Sequence, residues 1–236
     1  MDLLVATLWL RPYVFLFLAA FLVAGTLDLG WRRALVFGGI VWPVAFIAEY
    51  SSTRTGVPFG LYHYTDITRG RELYIADVPF MDSLSFAFLA YAAFCLARAA
   101  LARRRASPLT IALLAGALMM LLDVVIDPLA VRGDRWFLGR IFFYPHGGAY
   151  FGVPLSNFAG WWLVGTVGVG AFMALAGGYG RRPALGIALY YAVLAFNLGV
   201  TMWIGEGGLA GLGTVLHLAA ATALIRVSRK GESERA

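Results

Sequence analysis

Apolar residues fill seven long stretches of the chain, at about 13–29, 34–50, 79–98, 108–127, 158–176, 184–204 and 208–226. Each is close to the ~20 residues that a helix needs to cross ~30 Å of hydrocarbon. None alternates apolar and polar positions over ~10 residues, as the strands of a membrane barrel do. Tyr13 to Leu27, for instance, is one continuous block. The pattern predicts an all-α integral membrane protein, a polytopic helical bundle of about seven transmembrane helices forming one transmembrane domain over residues 1–236. The last stretch, rich in Gly and Ala and holding His217, fits a span least well. The start has no basic region and no small-residue cleavage site, so the first block reads as a span and not as a signal peptide.

The polar positions punctuate these stretches unevenly. Basic residues cluster at Arg32 and Arg33, from Arg98 to Arg105, at Arg181 and Arg182, and from Arg226 to Lys230. With seven spans, one side receives 12 Lys and Arg, counting Arg235, and the other receives 7. That bias predicts a cytoplasmic C-terminus and an outer N-terminus; the membrane expected is a bacterial or archaeal cytoplasmic one. Parity alone places the ends of the second, fourth and sixth spans together, so Glu49, Asp127 and Glu206 share one face. The linkers 51–78 and 128–157 lie there too. Both are rich in Phe, Tyr, Trp, Gly and Pro, a composition that tucks into a bundle or the interface. The opposite face has short Arg-rich linkers and no comparable chemistry.

Composition sharpens the class. The 236 residues are 61% hydrophobic and only 14% charged, where soluble domains carry about 25% charge. The mean hydropathy is +0.77. The net charge of +6 is almost all Arg and falls between spans, which assigns it to lipid headgroups and topology and not to nucleic acid. One cysteine, Cys95, inside an apolar block excludes a disulfide framework and a Cys-based metal site. His63, His146 and His217 show no HxxH, HxxxH or HExxH spacing, which argues against His-box di-iron enzymes and zinc proteases. Walker, GxGxxG, GxSxG and DDxxD motifs are also missing. No metal and no cofactor is expected; the chemistry left is that of carboxylates, aromatic rings and water.

Three clusters carry it. Glu49 closes an apolar span, where a carboxylate marks a functional site unless it merely pairs with Arg54 or water. An aromatic loop with Phe59, Tyr62, His63 and Tyr64 follows directly. Asp123 and Asp127, four residues apart before Pro128, share one helix face about a turn apart and form a candidate acid–base couple. Asp127 alone would also read as a helix end. Third, Trp136, Tyr150, Asn157 and Trp161 stand among Phe and Gly residues: either an interfacial aromatic belt, or a wall of ring faces suited to a carbocation. Asn157 reads either as an N-cap or as a partner for water or a carboxylate.

The runs Glu49 to Tyr64 (EYSSTRTGVPFGLYHY), Val78-Pro79, Asp123-x3-Asp127-Pro128 and Tyr150 to Trp161 (YFGVPLSNFAGW) resemble the carotenoid biosynthesis membrane family, which includes 1,2-hydratases of the γ-carotene and bisanhydrobacterioruberin type. The likeness covers most of residues 45–165, and only Asp82-Ser-Leu-Ser stands where a more apolar stretch is expected. It implies a cofactor-independent hydro-lyase that adds water across the terminal C1=C2 bond of an acyclic or monocyclic carotenoid. The implied roles are Asp123 or Asp127 as acid and Glu49 for water, or the reverse. His63, Tyr62, Tyr64, Phe59, Trp136, Tyr150, Asn157 and Trp161 would form the substrate site, with membrane lipid around it. The oligomeric state stays open. The same intramembrane acids would also suit a small lipid or proton transporter. The aromatics alone would suit a carotenoid-binding protein, and proton chemistry would equally serve an isomerase or cyclase.

Overall fold

The computed structural model describes residues 2–177 and 180–233; Arg235, counted above on the basic side, lies outside them. Seven of its helices are long and apolar enough to span a membrane: α2 (Pro12–Leu29), α3 (Trp31–Thr55), α4 (Phe80–Leu101), α5 (Pro108–Ala130), α6 (Leu155–Ala176), α7 (Ala184–Trp203) and α8 (Gly207–Ser233). They reproduce the seven expected stretches, the last included. An eighth helix, α1 (Leu3–Leu10), precedes them and is too short to cross.

The chain is a multi-pass membrane bundle, and its burial pattern shows why. Leu16, Val23, Leu35, Ile47, Leu163 and Leu218 are exposed, turning apolar side chains outward where a water-soluble protein would place polar ones. The bundle is organised around α4, which packs against α2, α3, α5, α7 and α8. Between Asp82 and Arg98 near its ends its sequence is almost wholly apolar on all sides, and Ala87, Ala90, Ala92, Ala93 and Ala97 are fully buried. A helix without a polar face belongs inside, and small side chains let neighbours approach from every direction. Its 22 residues span about 33 Å at ~1.5 Å per residue. The α5–α6 pair is the closest: a Cβ on Gly165 would stand 3.0 Å from the Gly116 Cα. That approach sets the carboxylates of α5 directly against α6.

The long loops converge at one end, as parity requires. Strand β1 (His63–Tyr64) pairs antiparallel with β4 (Phe142–Phe143), joining the two loops. Thr65 adds a bond from its N–H to the Ile141 carbonyl at 2.9 Å. A second two-stranded ribbon, β2 (Tyr74–Ile75) with β3 (Val78–Pro79), delivers the chain into α4. The loop after α3 turns back at Gly56, whose φ of 79° needs a residue without a Cβ. Ser52 Oγ then accepts the Phe59 N–H at 3.0 Å, and Phe59 drops into the bundle against Phe86 and Trp161.

The Arg-rich end departs from expectation. Asp28 is buried there at the foot of α2, paired with Arg98 and accepting from Tyr91 Oη at 3.2 Å and the Arg182 N–H at 2.7 Å. This end therefore has a buried ionic brace joining α2, α4 and the segment entering α7. An Asp at the end of one apolar stretch and the first Arg of a basic cluster, separated by 70 positions, give no sequence signal of it.

Candidate active site

Asp123 and Asp127 lie one turn apart on the inner face of α5, as their spacing predicts. Asp123 is completely buried, and its Oδ1 accepts the Asp127 N–H at 3.2 Å. Asn157, from the first turn of α6, donates through Nδ2 to Asp123 Oδ2 at 2.6 Å and to Asp127 Oδ2 at 2.8 Å. One amide group has two hydrogens, so it serves both carboxyls. Trp161, one turn further along α6, donates from Nε1 to Asp127 Oδ2 at 3.2 Å. Asn157 is thus no N-cap; Pro154 occupies that position, and the amide is spent on the carboxyls.

A cavity of about 120 Å³ opens beside this cluster. A water needs ~10–15 Å³ on the same measure, so there is room for several waters or a small branched hydrocarbon end. Asp127, Asn157, Trp161, Glu49, Phe59, Tyr62, Tyr64 and Trp136 all line it. Glu49 reaches it from α3, buried, and its Oε2 has no hydrogen-bond partner among the described residues. Arg54 does not neutralise Glu49: it pairs with Asp77 at 2.8 Å and stacks over the Tyr50 ring. The aromatic wall is continuous. Phe86 and Trp161 stack at 4.3 Å, and Tyr62 meets Tyr64, Phe142 and Tyr144 edge-on at 5.5–5.8 Å. Burial, with the nearby carboxylates adding, pushes the Tyr62, Tyr64 and Tyr144 phenols above their usual range. They present ring faces and hydroxyl donors, not bases. Val14 and Phe17 of α2, Phe88 and Leu89 of α4, and Val193 and Phe196 of α7 also line the cavity.

Some expected residues lie elsewhere. Asp123 stands behind Asp127, off the cavity surface. His63 is exposed on the outer side of β1, beside Phe143. The alternation of a strand turns Tyr62 and Tyr64 inward and His63 outward, a signal present in the sequence but not used. Tyr150 lies outside the cavity as well, packed on Phe151 and Phe158. Glu206 shares the face, as parity requires, but pairs with Arg132 and Arg135 away from the acids. Conversely, Arg11, Tyr13, Asp82 and Asn197 line the cavity unannounced. Arg11 reads as one more topological anchor, and Asp82 as a local departure from an apolar pattern.

A family model described as carotenoid biosynthesis protein matches residues 10–220. A bisanhydrobacterioruberin hydratase from Haloarcula japonica is 36% identical over 148 residues, covering 63% of this chain and 47% of that protein. The chain therefore spans about half the length of the curated relative it matches. No solved structure matches it.

Proposed function

Since the chain belongs to the carotenoid biosynthesis protein family, we propose that it is a carotenoid hydratase, adding water across the terminal C1=C2 bond of an acyclic end group. The observation that carries this reading is the cavity itself: carboxyls, ring faces and apolar side chains of α2, α4 and α7 line one space. Asp127 is the acid. A single proton held between Asp123 and Asp127 removes the repulsion of two adjacent carboxylates, and the Asn157 amide orients both. Proton transfer to C2 forms a C–H bond from the π pair and leaves a tertiary cation at C1. The faces of Trp161, Phe86 and the inward tyrosines stabilise that cation by cation–π attraction. Glu49, with an unpartnered oxygen at the cavity, holds the water that then bonds to C1 as one of its O–H bonds breaks and the proton leaves to a cavity carboxylate. The polyene lies in the passage between α2, α4 and α7 and reaches away into the bilayer. With the basic flank cytoplasmic, this site is at the outer face.

The test is to express the protein in cells that make lycopene or γ-carotene. A pigment heavier by one water is expected. Pigment that copurifies unchanged would instead indicate a binding protein, and no effect on several acyclic carotenoids would refute the hydratase reading.

A further inference from the structure

The cavity holds a carboxylate that the mechanism above does not use. Arg11, in the joint between α1 and α2, is buried and donates from Nε and Nη2 to both oxygens of Glu72, at 3.0 and 2.9 Å. Its third nitrogen, Nη1, stands 3.2 Å from Asp82 Oδ1. The two acids differ in one respect. The Glu72 side chain is 0% exposed and consumed by Arg11, whereas that of Asp82 is 19% exposed and lines the cavity. Asp82 is also the third residue of α4, so the positive end of the helix faces its charge. Glu49, its Oε2 unpartnered, lies within electrostatic reach of both Asp82 and Asp127.

We propose that Asp82 is the catalytic base of the water-addition step and that Arg11 is its positioning residue, an assignment that rests on the hydratase reading. As the water oxygen bonds to C1, its O–H bond breaks and the proton passes to the open oxygen of Asp82. Glu49, within electrostatic reach of both acids, then gives its own proton to Asp127 and takes the one held by Asp82, so the cavity ends the cycle as it began and the net change is one water added. The Glu72–Arg11 pair fixes where the Asp82 oxygens point. An acid and a base on separate walls suit a reaction that delivers a proton to one carbon and hydroxide to its neighbour.

The experiment incubates membranes containing the full chain and lycopene in deuterium oxide. It reads two quantities by mass: hydrate formed, and recovered lycopene that has exchanged hydrogen for deuterium. Exchange needs only reversible protonation by Asp127; hydrate also needs the base. Asp127→Asn is expected to lose both. Asp82→Asn is expected to form about a hundredfold less hydrate while exchange persists. Arg11→Gln should raise the exchange-to-hydrate ratio in the same direction, with Arg11→Lys partly restoring it. The ratio does not depend on how much protein folds. For a poorly accumulating Asp82→Asn, Asp82→Glu serves: shifted by one methylene, it should raise the ratio at least about tenfold. An unchanged ratio in the Asp82 variants, or loss of exchange together with hydrate in Asp82→Asn that still binds lycopene, overturns the assignment alone. A wild-type protein giving neither product overturns the hydratase reading and this assignment with it.

Discussion

Asn157 on α6 donates to Asp123 on α5 at 2.6 Å, tying the two most closely packed helices through a buried carboxyl. Asn157→Leu removes the amide from both Asp123 and Asp127. Leaving buried acceptors without a donor costs about 1–3 kcal/mol, and more where they are charged. The expected outcome is a lower thermal midpoint in detergent and at least a ~10-fold loss of hydrate per folded protein. Asn157→Asp, which adds a third carboxyl, should be worse in both measurements.

Gly160 is the contact point between α6 and the returning loop. A Cβ there would meet Phe59 Cδ1 at 2.5 Å and the Pro58 carbonyl carbon at 3.0 Å. Gly160→Ala should therefore push residues 58–59 off α6 and move Phe59 away from Trp161. Hydrate yield should fall several-fold with little change in protein level. Carotenoid titration into the purified variant, read by the pigment absorption shift, should show weakened binding.

The Asp28–Arg98 brace lies at the end of the bundle opposite the acids, so its loss should act on stability and not on chemistry. Removing one partner of a buried pair costs about 3–5 kcal/mol. Arg98→Met or Asp28→Leu alone should sharply lower the unfolding midpoint, and the double variant should recover part of the loss. The hydrate formed per folded molecule should stay near wild type in each.

At the loop end, Glu206 joins the turn after α7 to Arg132 and Arg135. Burial works against its charge, but Arg135 and Arg132 outweigh it, and the carboxyl sits below its usual range. A lowered folded value stabilises the clasp above the unfolded value of ~4.3, and that stabilisation is lost as pH falls through the folded one. Protection from hydrogen exchange at residues 133–135 and 204–206, relative to the intrinsic rate at each pH, should thus hold at neutral pH and be lost only once the pH falls below the usual carboxylate range. Glu206→Gln should make exchange fast at neutral pH.

Much of this architecture was legible from the sequence because a bilayer imposes a simple length rule. All seven spans follow from apolar stretches, and parity alone brings Glu49 and Asp127 to one face. The i, i+4 spacing of Asp123 and Asp127 places them together without any tertiary information. Pairings between distant positions were not legible. Arg11 meets Glu72 across 61 residues, and Asp28 meets Arg98 across 70. Each of these charges looks like an ordinary interfacial residue until the fold buries it. His63 and Tyr150 were misplaced for a local reason: an aromatic loop has two sides, and only one faces the cavity.

Whether the buried carboxyls add water is tested with membranes holding the wild type or a triple variant in which Asp123, Asp127 and Glu49 become Asn, Asn and Gln. Both are incubated with lycopene in water carrying a heavy oxygen isotope. The account predicts a hydrate with the heavy oxygen in its tertiary hydroxyl from the wild type, and none from the triple variant at equal folded protein. Labelled hydrate from the triple variant at the wild-type rate would contradict it.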